Sequence, residues 1–212
     1  MLDSKGFNLW SGDYDKSVNI SDSDDVYPFA GYKKLMNVIY ATIMNNCPSN
    51  VLDIGIGTGT LAYKLYEQGN NITGIDFSEE MLSIAQEKMP KANLMQYDFS
   101  KGLPTVLNNV TFDFIVSTYA LHHLTDENKI TFIRSLLNSL NEDGVIIIGD
   151  VSFRTRNDLD DCKASCGNKW DNDEYYFVFS EISEKLSDEF VLTYQQFSHC
   201  SGIMEIRHSD SK

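Results

Sequence analysis

The chain has 212 residues, of which 42% are hydrophobic and 23% are charged, and its 31 acidic side chains outnumber 17 basic ones. A chain of this length buries enough surface for one sizeable core. The formal net charge is -14, and the sequence has no basic stripe that could bind a phosphate backbone or an anionic membrane. Neither nucleic acid nor a membrane is therefore an expected partner. No apolar run approaches the roughly 20 residues that span a bilayer. The first ten residues lack the basic start and apolar stretch of a signal peptide, which predicts a cytoplasmic location.

The four cysteines lie far apart in the sequence and follow no metal-binding motif. They are Cys47, Cys162, Cys166 and Cys200. A chain of this size needs no disulfide, so all four are expected to be reduced thiols. Although His199 adjoins Cys200, no C-x-x-C or H-E-x-x-H pattern accompanies them, and no metal site is predicted.

The N-terminal part reads as a lead-in followed by one helix. The first thirty residues carry six aspartates among Ser, Gly and Asn, which predicts an irregular or partly helical segment. From Pro28 onward, apolar and aromatic residues recur at three- and four-residue spacing and indicate an amphipathic helix that ends before Pro48. Its inward face comprises Tyr32, Leu35, Met36, Ile39, Tyr40 and Ile43.

The middle of the chain alternates between short apolar runs and amphipathic stretches. Ser78 is a good N-cap for one of the predicted helices, and Pro90 ends that helix. The alternation predicts a mostly parallel sheet with helices on both faces, wound in the right-handed sense. Predicted strands are 51–54, 72–75, 93–97, 112–117 and 145–148, and predicted helices are 58–68, 78–89 and 126–140.

The C-terminal part departs from this alternation. Residues 151–175 are polar and are predicted to be irregular, and a helix is expected over 175–186. Two strand-like runs, 190–197 and 202–207, are separated by a joint too short for a parallel crossover, so they predict an antiparallel pair. The sequence thus indicates a single α/β domain with a doubly wound Rossmann-like sheet. Its parts are a helical cap segment (1–48), a cofactor-binding core (49–150) and a C-terminal helix with the strand pair (151–212).

The turn after the first predicted strand is rich in glycine. It reads Asp53-Ile-Gly55-Ile-Gly57-Thr-Gly59. In a doubly wound sheet, ligands bind outside the carboxyl ends of the strands, and glycines let backbone N–H groups approach them. A dinucleotide fingerprint would read G-x-G-x-x-G, and a carboxylate beside a pyrophosphate would repel it. Asp53 instead favours a ligand with an ammonium or sulfonium charge.

The next two predicted strands also end in acidic residues. Asp76 ends the second strand, where a carboxylate can accept two hydrogen bonds from a ribose diol. Asp98 and Phe99 follow the third and offer a carboxylate for an exocyclic amine and an aromatic face for a base. Together these positions describe an adenosine without phosphates.

These residues resemble the class I S-adenosylmethionine-dependent methyltransferases, and especially an uncharacterised bacterial subgroup with small-molecule substrates. The resemblance runs from about residue 51 to residue 150 and implies a seven-stranded sheet whose last strand is antiparallel. It implies S-adenosylmethionine as cofactor, with its methionine part along Gly55–Gly59, its ribose hydroxyls on Asp76 and its adenine amine at Asp98. The remaining predicted cofactor contacts are Phe77, Thr118 and Tyr14, the last from an N-terminal Tyr-Asp element that folds over the cofactor in many relatives.

The sequence gives fewer indications of which residues contact the methyl acceptor. His122 and His123 follow the fourth predicted strand, and either is a candidate general base if the acceptor is protonated; the alternative is that one of them orders the loop. Tyr119, Tyr175 and Tyr176 are candidate substrate contacts, with core packing as the alternative. The acidic segment 158–174 is expected to be a solvated loop, unless it steers a cationic acceptor.

The sequence therefore predicts a methyltransferase that acts on a small molecule by in-line displacement, as a monomer or homodimer. One alternative is an NAD(P)-dependent oxidoreductase, which the glycine spacing and Asp53 disfavour. The other is a non-catalytic S-adenosylmethionine-binding protein.

Overall fold

A computed structural model describes residues 26–209, and its helices and strands alternate through most of this range. The helices are α1 (Tyr32–Met44), α2 (Thr60–Glu67), α3 (Glu79–Lys88), α4 (Asp126–Leu136), α5 (Arg156–Cys166) and α6 (Phe179–Leu186). The strands are β1 (Asn50–Ile54), β2 (Asn71–Asp76), β3 (Asn93–Gln96), β4 (Phe112–Thr118), β5 (Leu140–Phe153), β6 (Phe177–Val178), β7 (Phe190–Gln196) and β8 (Ser201–His208).

The strands form one sheet in the order β3-β2-β1-β4-β5-β8-β7. The first five are parallel, whereas β8 is antiparallel to both β5 and β7. The two-residue β6 pairs with the end of β5 outside this path. The predicted doubly wound sheet with an antiparallel end is confirmed.

Two apolar cores cover the faces of the sheet, because the strands alternate side chains between them. On β4, Phe114 and Val116 face the core that contains α1, α2, α3 and α5. Ile115, between them, faces the core that contains α4 and α6. A sheet buried on both faces leaves the strand ends as the accessible edge, and these ends build the site.

The structure differs from the predicted elements around β5. This strand continues to Phe153, and the following residues, predicted to be irregular, form the well-defined helix α5. Helix α4 ends at Leu136 rather than at residue 140, and α6 begins at Phe179, after the short β6. Within the described range, no helix is long and apolar enough to cross a membrane.

Candidate active site

A cavity that is partly open to solvent lies at the carboxyl ends of β1, β2 and β4. Parallel strands end at the same edge of a sheet, so residues distant in sequence meet there. The wall comprises Tyr32, Met36, Asp53, Gly55, Ile56, Gly57, Thr58, Thr60, Leu61, Asp76, Phe77, Met81, Phe99, Thr118, Tyr119, Ala120 and His123.

The glycine-rich turn after β1 forms the floor of this cavity. Gly55 has φ 71°, and a Cβ there would come within 2.4 Å of the Ala120 Cβ. Gly57 has φ 54°, and a Cβ there would meet nothing closer than the Met81 Sδ at 3.9 Å. Gly55 is therefore required by packing, whereas Gly57 keeps the cavity open. Gly59 lies off the wall, at the start of α2.

The strand-end carboxylates Asp53 and Asp76 lie side by side on the wall. Asp53 is 3% exposed, and its Oδ1 has no hydrogen-bond partner among the described residues. Burial, with a smaller contribution from Asp76, raises its pKa to about 7. Asp76 accepts hydrogen bonds from the Gly57 N–H at 2.9 Å and from the Ser78 N–H at 2.8 Å. Burial raises the pKa of Asp76 as well. The site thus presents one anchored carboxyl group and one whose Oδ1 has no partner within residues 26–209.

Asp98 and Phe99 are adjacent in sequence but separate in space. Phe99 is buried and lines the cavity. Asp98 lies off the wall, where it accepts hydrogen bonds from the Ser100 N–H and hydroxyl and pairs with Lys101 at 3.2 Å. Burial tends to raise the pKa of Asp98, but these partners outweigh it and lower the pKa.

The wall after β4 is aromatic. Tyr119 has the left-handed φ of 50°, which is uncommon for a side chain of this size and is typical of functional sites. Its ring lies 5.1 Å from that of Phe29 and 5.3 Å from that of Tyr32, measured between centroids. Helix α1 therefore contributes to one side of the cavity, and Tyr119 and His123 extend along it.

The two histidines occupy different places. His123 lines the cavity, and its pKa is lowered to about 4 by burial and by the neighbouring His122. His122 is off the wall and 8% exposed. Its Nδ1 lies 2.6 Å from Asp150 Oδ1 and its Nε2 lies 2.9 Å from Glu174 Oε2. Although burial lowers the pKa of His122, these two carboxylates outweigh it and raise the pKa to about 10.

The two tyrosines predicted near the acceptor do not line the cavity. Tyr175 is 43% exposed. Tyr176 is buried in an aromatic cluster, where its hydroxyl bonds to that of Tyr27 and its ring packs edge-on against Trp170 at 4.9 Å. The structure thus gives Tyr176 a packing role. Tyr14 lies outside the described residues.

Several wall residues were not predicted from the sequence. Met36 and Tyr32 were read as one face of an amphipathic helix, and their spacing carries no signal that the face lines a cavity. Asp150 lies beyond the strand that was predicted to end at residue 148, and Glu174 belongs to the segment predicted to be a solvated acidic loop. Their meeting at His122 depends on the path of the chain between them, which the sequence pattern does not reveal.

Comparison with known proteins agrees with this geometry. The profile of the methyltransferase domain family matches residues 51–144. The chain is 34% identical to an uncharacterized methyltransferase of Bacillus cytotoxicus, in an alignment that covers 94% of each protein. An uncharacterized methyltransferase of a Geobacillus strain is 39% identical over 71% of this chain and 68% of its own length.

Solved structures share the fold. DhpI in a complex with SAH has a TM-score of 0.72 at 17% identity, covering 98% of this chain and 96% of that chain. Magnesium protoporphyrin IX methyltransferase from Synechocystis with bound SAH has a TM-score of 0.69 at 22% identity, covering 85% of each chain. The Bacillus cytotoxicus relative covers 94% of this chain at 34% identity, which is above the identity of these structures. The chain therefore belongs to the S-adenosylmethionine-dependent methyltransferase family.

Proposed function

We propose that this protein binds S-adenosylmethionine in the strand-end cavity and transfers its methyl group to a small molecule. The observation that carries the proposal is the buried Asp53, whose Oδ1 has no hydrogen-bond partner among the described residues and which lines a cavity floored by glycine. A buried acceptor without a partner costs free energy unless a ligand supplies a donor. The ammonium group of the cofactor is a donor of the right charge.

The other wall residues fit the remaining parts of the cofactor. Asp76 is held in place by two backbone N–H groups, and each of its oxygens retains acceptor capacity for a ribose hydroxyl. Phe77 and Phe99 supply apolar and aromatic surface for the adenine. Asp98 would have to exchange its contacts with Ser100 and Lys101 to reach the adenine amine, so we assign it a lesser role.

The chain's contribution to methyl transfer is mainly positioning. When bound, the cofactor supplies a methyl group on a sulfonium together with a neutral thioether leaving group. Holding an acceptor in line with such a group accounts for much of the acceleration of a displacement. Tyr119 and His123 line the wall and are placed to contact the acceptor, whereas both ring nitrogens of His122 already face carboxylates. Of the two predicted histidines, His123 is therefore the one that we assign to the acceptor.

A small-molecule acceptor is supported by charge and by the form of the cavity. The net charge of -14 disfavours nucleic acid substrates. The cavity is recessed at the strand ends, as small-molecule sites usually are. Among the structural neighbours, one is by its name a magnesium protoporphyrin IX methyltransferase.

Cofactor binding is tested by thermal unfolding. We expect S-adenosylhomocysteine to raise the melting temperature, since a ligand bound only by the native state stabilises it, and NADH to leave it unchanged. Gly57→Val should abolish the shift, because its side chain projects from the cavity floor. Gly102→Val is the matched control: Gly102 has φ 94° with nothing within 4 Å of its Cβ, and it lies off the wall. No shift with the native chain at millimolar ligand would disprove the cofactor assignment.

Acceptor class is tested by methyl transfer. A bacterial extract is divided by ultrafiltration, and each fraction is incubated with S-adenosylmethionine labelled on its methyl group. Label should appear in a product of the low-molecular-weight fraction that chromatography separates from the cofactor. Label only in the protein fraction would contradict a small-molecule acceptor. Cofactor binding without transfer to either fraction would favour the non-catalytic alternative.

A further inference from the structure

Beside the cavity, His122, His123 and Glu174 bring three potential metal-ligand atoms within 4.8 Å of one another. Glu174 Oε2 lies 2.9 Å from His122 Nε2, and Glu174 Oε1 lies 3.4 Å from His123 Nδ1. In a tetrahedral site with metal–ligand bonds of about 2.1 Å, neighbouring ligand atoms are about 3.4 Å apart. Each histidine therefore lies close to this edge length from one oxygen of Glu174, and one ligand atom from each of the three residues falls within 4.8 Å of the others.

Asp150 orients His122 by contacting the ring nitrogen that does not face Glu174. Asp150, at 1% exposure, lies 2.6 Å from His122 Nδ1 through its Oδ1, which also accepts a hydrogen bond from the Val151 N–H. Metal binding releases the Nε2 proton of His122 to solvent, and the Nε2 lone pair then points toward Glu174 while the Nδ1 N–H donates to Asp150. A carboxylate behind a ligating imidazole is the usual outer-shell arrangement of protein metal sites.

The backbone also fixes Glu174 against the histidines. The N–H of Tyr175 donates to the carbonyl of His122 at 2.8 Å. The carbonyl of Tyr175 accepts from the fully buried Lys129 ammonium, which pairs with Asp126 at 3.0 Å. This segment is thus tied to α4 and to the residues after β4 at consecutive backbone groups. Glu174 is held at the cluster by the fold rather than by a loose ion pair.

We propose that His122, His123 and Glu174 bind a divalent transition-metal ion such as Zn²⁺, with Asp150 as the residue that orients His122. Two imidazoles and one carboxylate form a ligand set that suits Zn²⁺ and leaves a coordination position open. His123 also lines the cavity, so the ion would border it. If the proposed function holds, an acceptor hydroxyl or thiol could occupy the open position, where the metal ion lowers its pKa and the proton leaves to solvent. This proposal departs from the prediction of no metal, and it does not involve the cysteines.

The experiment measures Co²⁺ and Zn²⁺ binding to the full chain without an affinity tag. We expect one Co²⁺ per chain with visible absorption bands of a four- or five-coordinate site, and displacement by Zn²⁺. Asp150→Asn should weaken Zn²⁺ binding by about 10- to 100-fold, as the loss of an outer-shell partner does. Glu174→Gln and His122→Gln should weaken it at least as much. His199→Gln, a histidine outside the cluster, and the double variant Cys162→Ser/Cys166→Ser should bind like the native chain.

Three results would contradict the proposed metal site. No Co²⁺ bands with the native chain, or equal metal binding by the native chain and Glu174→Gln, overturns the proposal, as does binding that only the cysteine variant loses. Circular dichroism and the S-adenosylhomocysteine melting shift are recorded for every variant. A variant that keeps the shift but loses the metal separates this site from the cofactor site. If a variant does not fold, the titration of the native chain still decides the matter.

Discussion

Asp53, at the end of β1, lowers the stability of the ligand-free protein but is well placed to bind a ligand. Asp53 is buried, has no hydrogen-bond partner for Oδ1 among the described residues, and faces the nearby charge of Asp76. An ionised carboxylate in such a place destabilises the ligand-free protein. The same features make it a strong partner for a cation.

The pH dependence of stability should show this cost. The pKa of Asp53 is raised from 3.8 to about 7 in the folded chain. Between these values the native state binds more protons than the unfolded state, so the free energy of unfolding falls as pH rises from about 4 to about 7. The loss is roughly 4 kcal/mol for a shift of this size. Asp53→Asn, which cannot ionise, should lack it. Urea unfolding of both chains across this range, without ligand, measures the difference.

A control separates Asp53 from the many other carboxyl groups. Asp188 is exposed, and Asp188→Asn removes a charge of the same kind. It therefore serves as the control for the loss of one carboxylate elsewhere on the chain. If the difference between the native chain and Asp53→Asn were flat across this range, burial would not raise the pKa of Asp53 as the geometry indicates.

The positions of the strand-end residues could be predicted from the sequence, but the contacts around His122 could not. Asp53, Gly57 and Asp76 follow apolar runs, and the carboxyl ends of neighbouring parallel strands must meet. The structure places all three on the cavity wall. By contrast, Asp150 and Glu174 meet at His122 only because of the path of the chain after β5.

At the level of elements, the largest departures from the sequence pattern are in β5 and α5. Asp150 and Ser152 interrupt the apolar run, so the strand was predicted to stop at 148. Both are buried, and their side chains are hydrogen-bonded to His122 and Tyr194. In α5 only Leu159 and Cys162 are buried, so periodicity gave no helix. Buried polar residues whose hydrogen-bond partners are distant in sequence leave no local pattern from which a strand can be predicted.

Helix α5 did carry one local signal, a capping box. The Thr155 hydroxyl accepts a hydrogen bond from the Asp158 N–H, and the Asp158 carboxylate accepts one from the Thr155 N–H. Because few apolar contacts hold this helix, we expect its cap to matter. Thr155→Ala should lower the free energy of unfolding by about 1 kcal/mol, measured by urea denaturation.

The matched control for the cap is Thr131→Ala. Thr131 is exposed inside α4, where its hydroxyl bonds to the carbonyl of Glu127. Alanine has the higher helix propensity at such a position, so this change should be neutral or slightly stabilising. Equal effects of the two substitutions would show that the capping box of α5 adds nothing to stability.

Over the whole molecule, the alternation of strands and helices was sufficient to predict a mostly parallel, doubly wound sheet with an antiparallel end, although it did not predict the order of the strands. Parallel neighbours need a crossover, and the short joint between β7 and β8 forbids one, so the antiparallel end follows from chain geometry. Net charge is the other property of the whole chain. It excludes no fold, but it acts on stability through self-repulsion.

That repulsion predicts a stabilising effect of salt. At 20 mM NaCl the charges that sum to -14 repel one another over tens of ångströms, whereas at 0.3 M the screening length falls below about 8 Å. We expect the melting temperature to rise by about 2–4 °C, which corresponds to roughly 1 kcal/mol for a chain of this length.

A variant in which four exposed acids are replaced by their amides is the control. The substitutions at Glu142, Asp143, Asp160 and Asp161 change the net charge from -14 to -10. Since self-repulsion scales with the square of the charge, this variant should show about half the response. A melting temperature that falls with NaCl in the native chain would mean that attractive ion pairs, such as Arg156 with Glu181, outweigh the net charge.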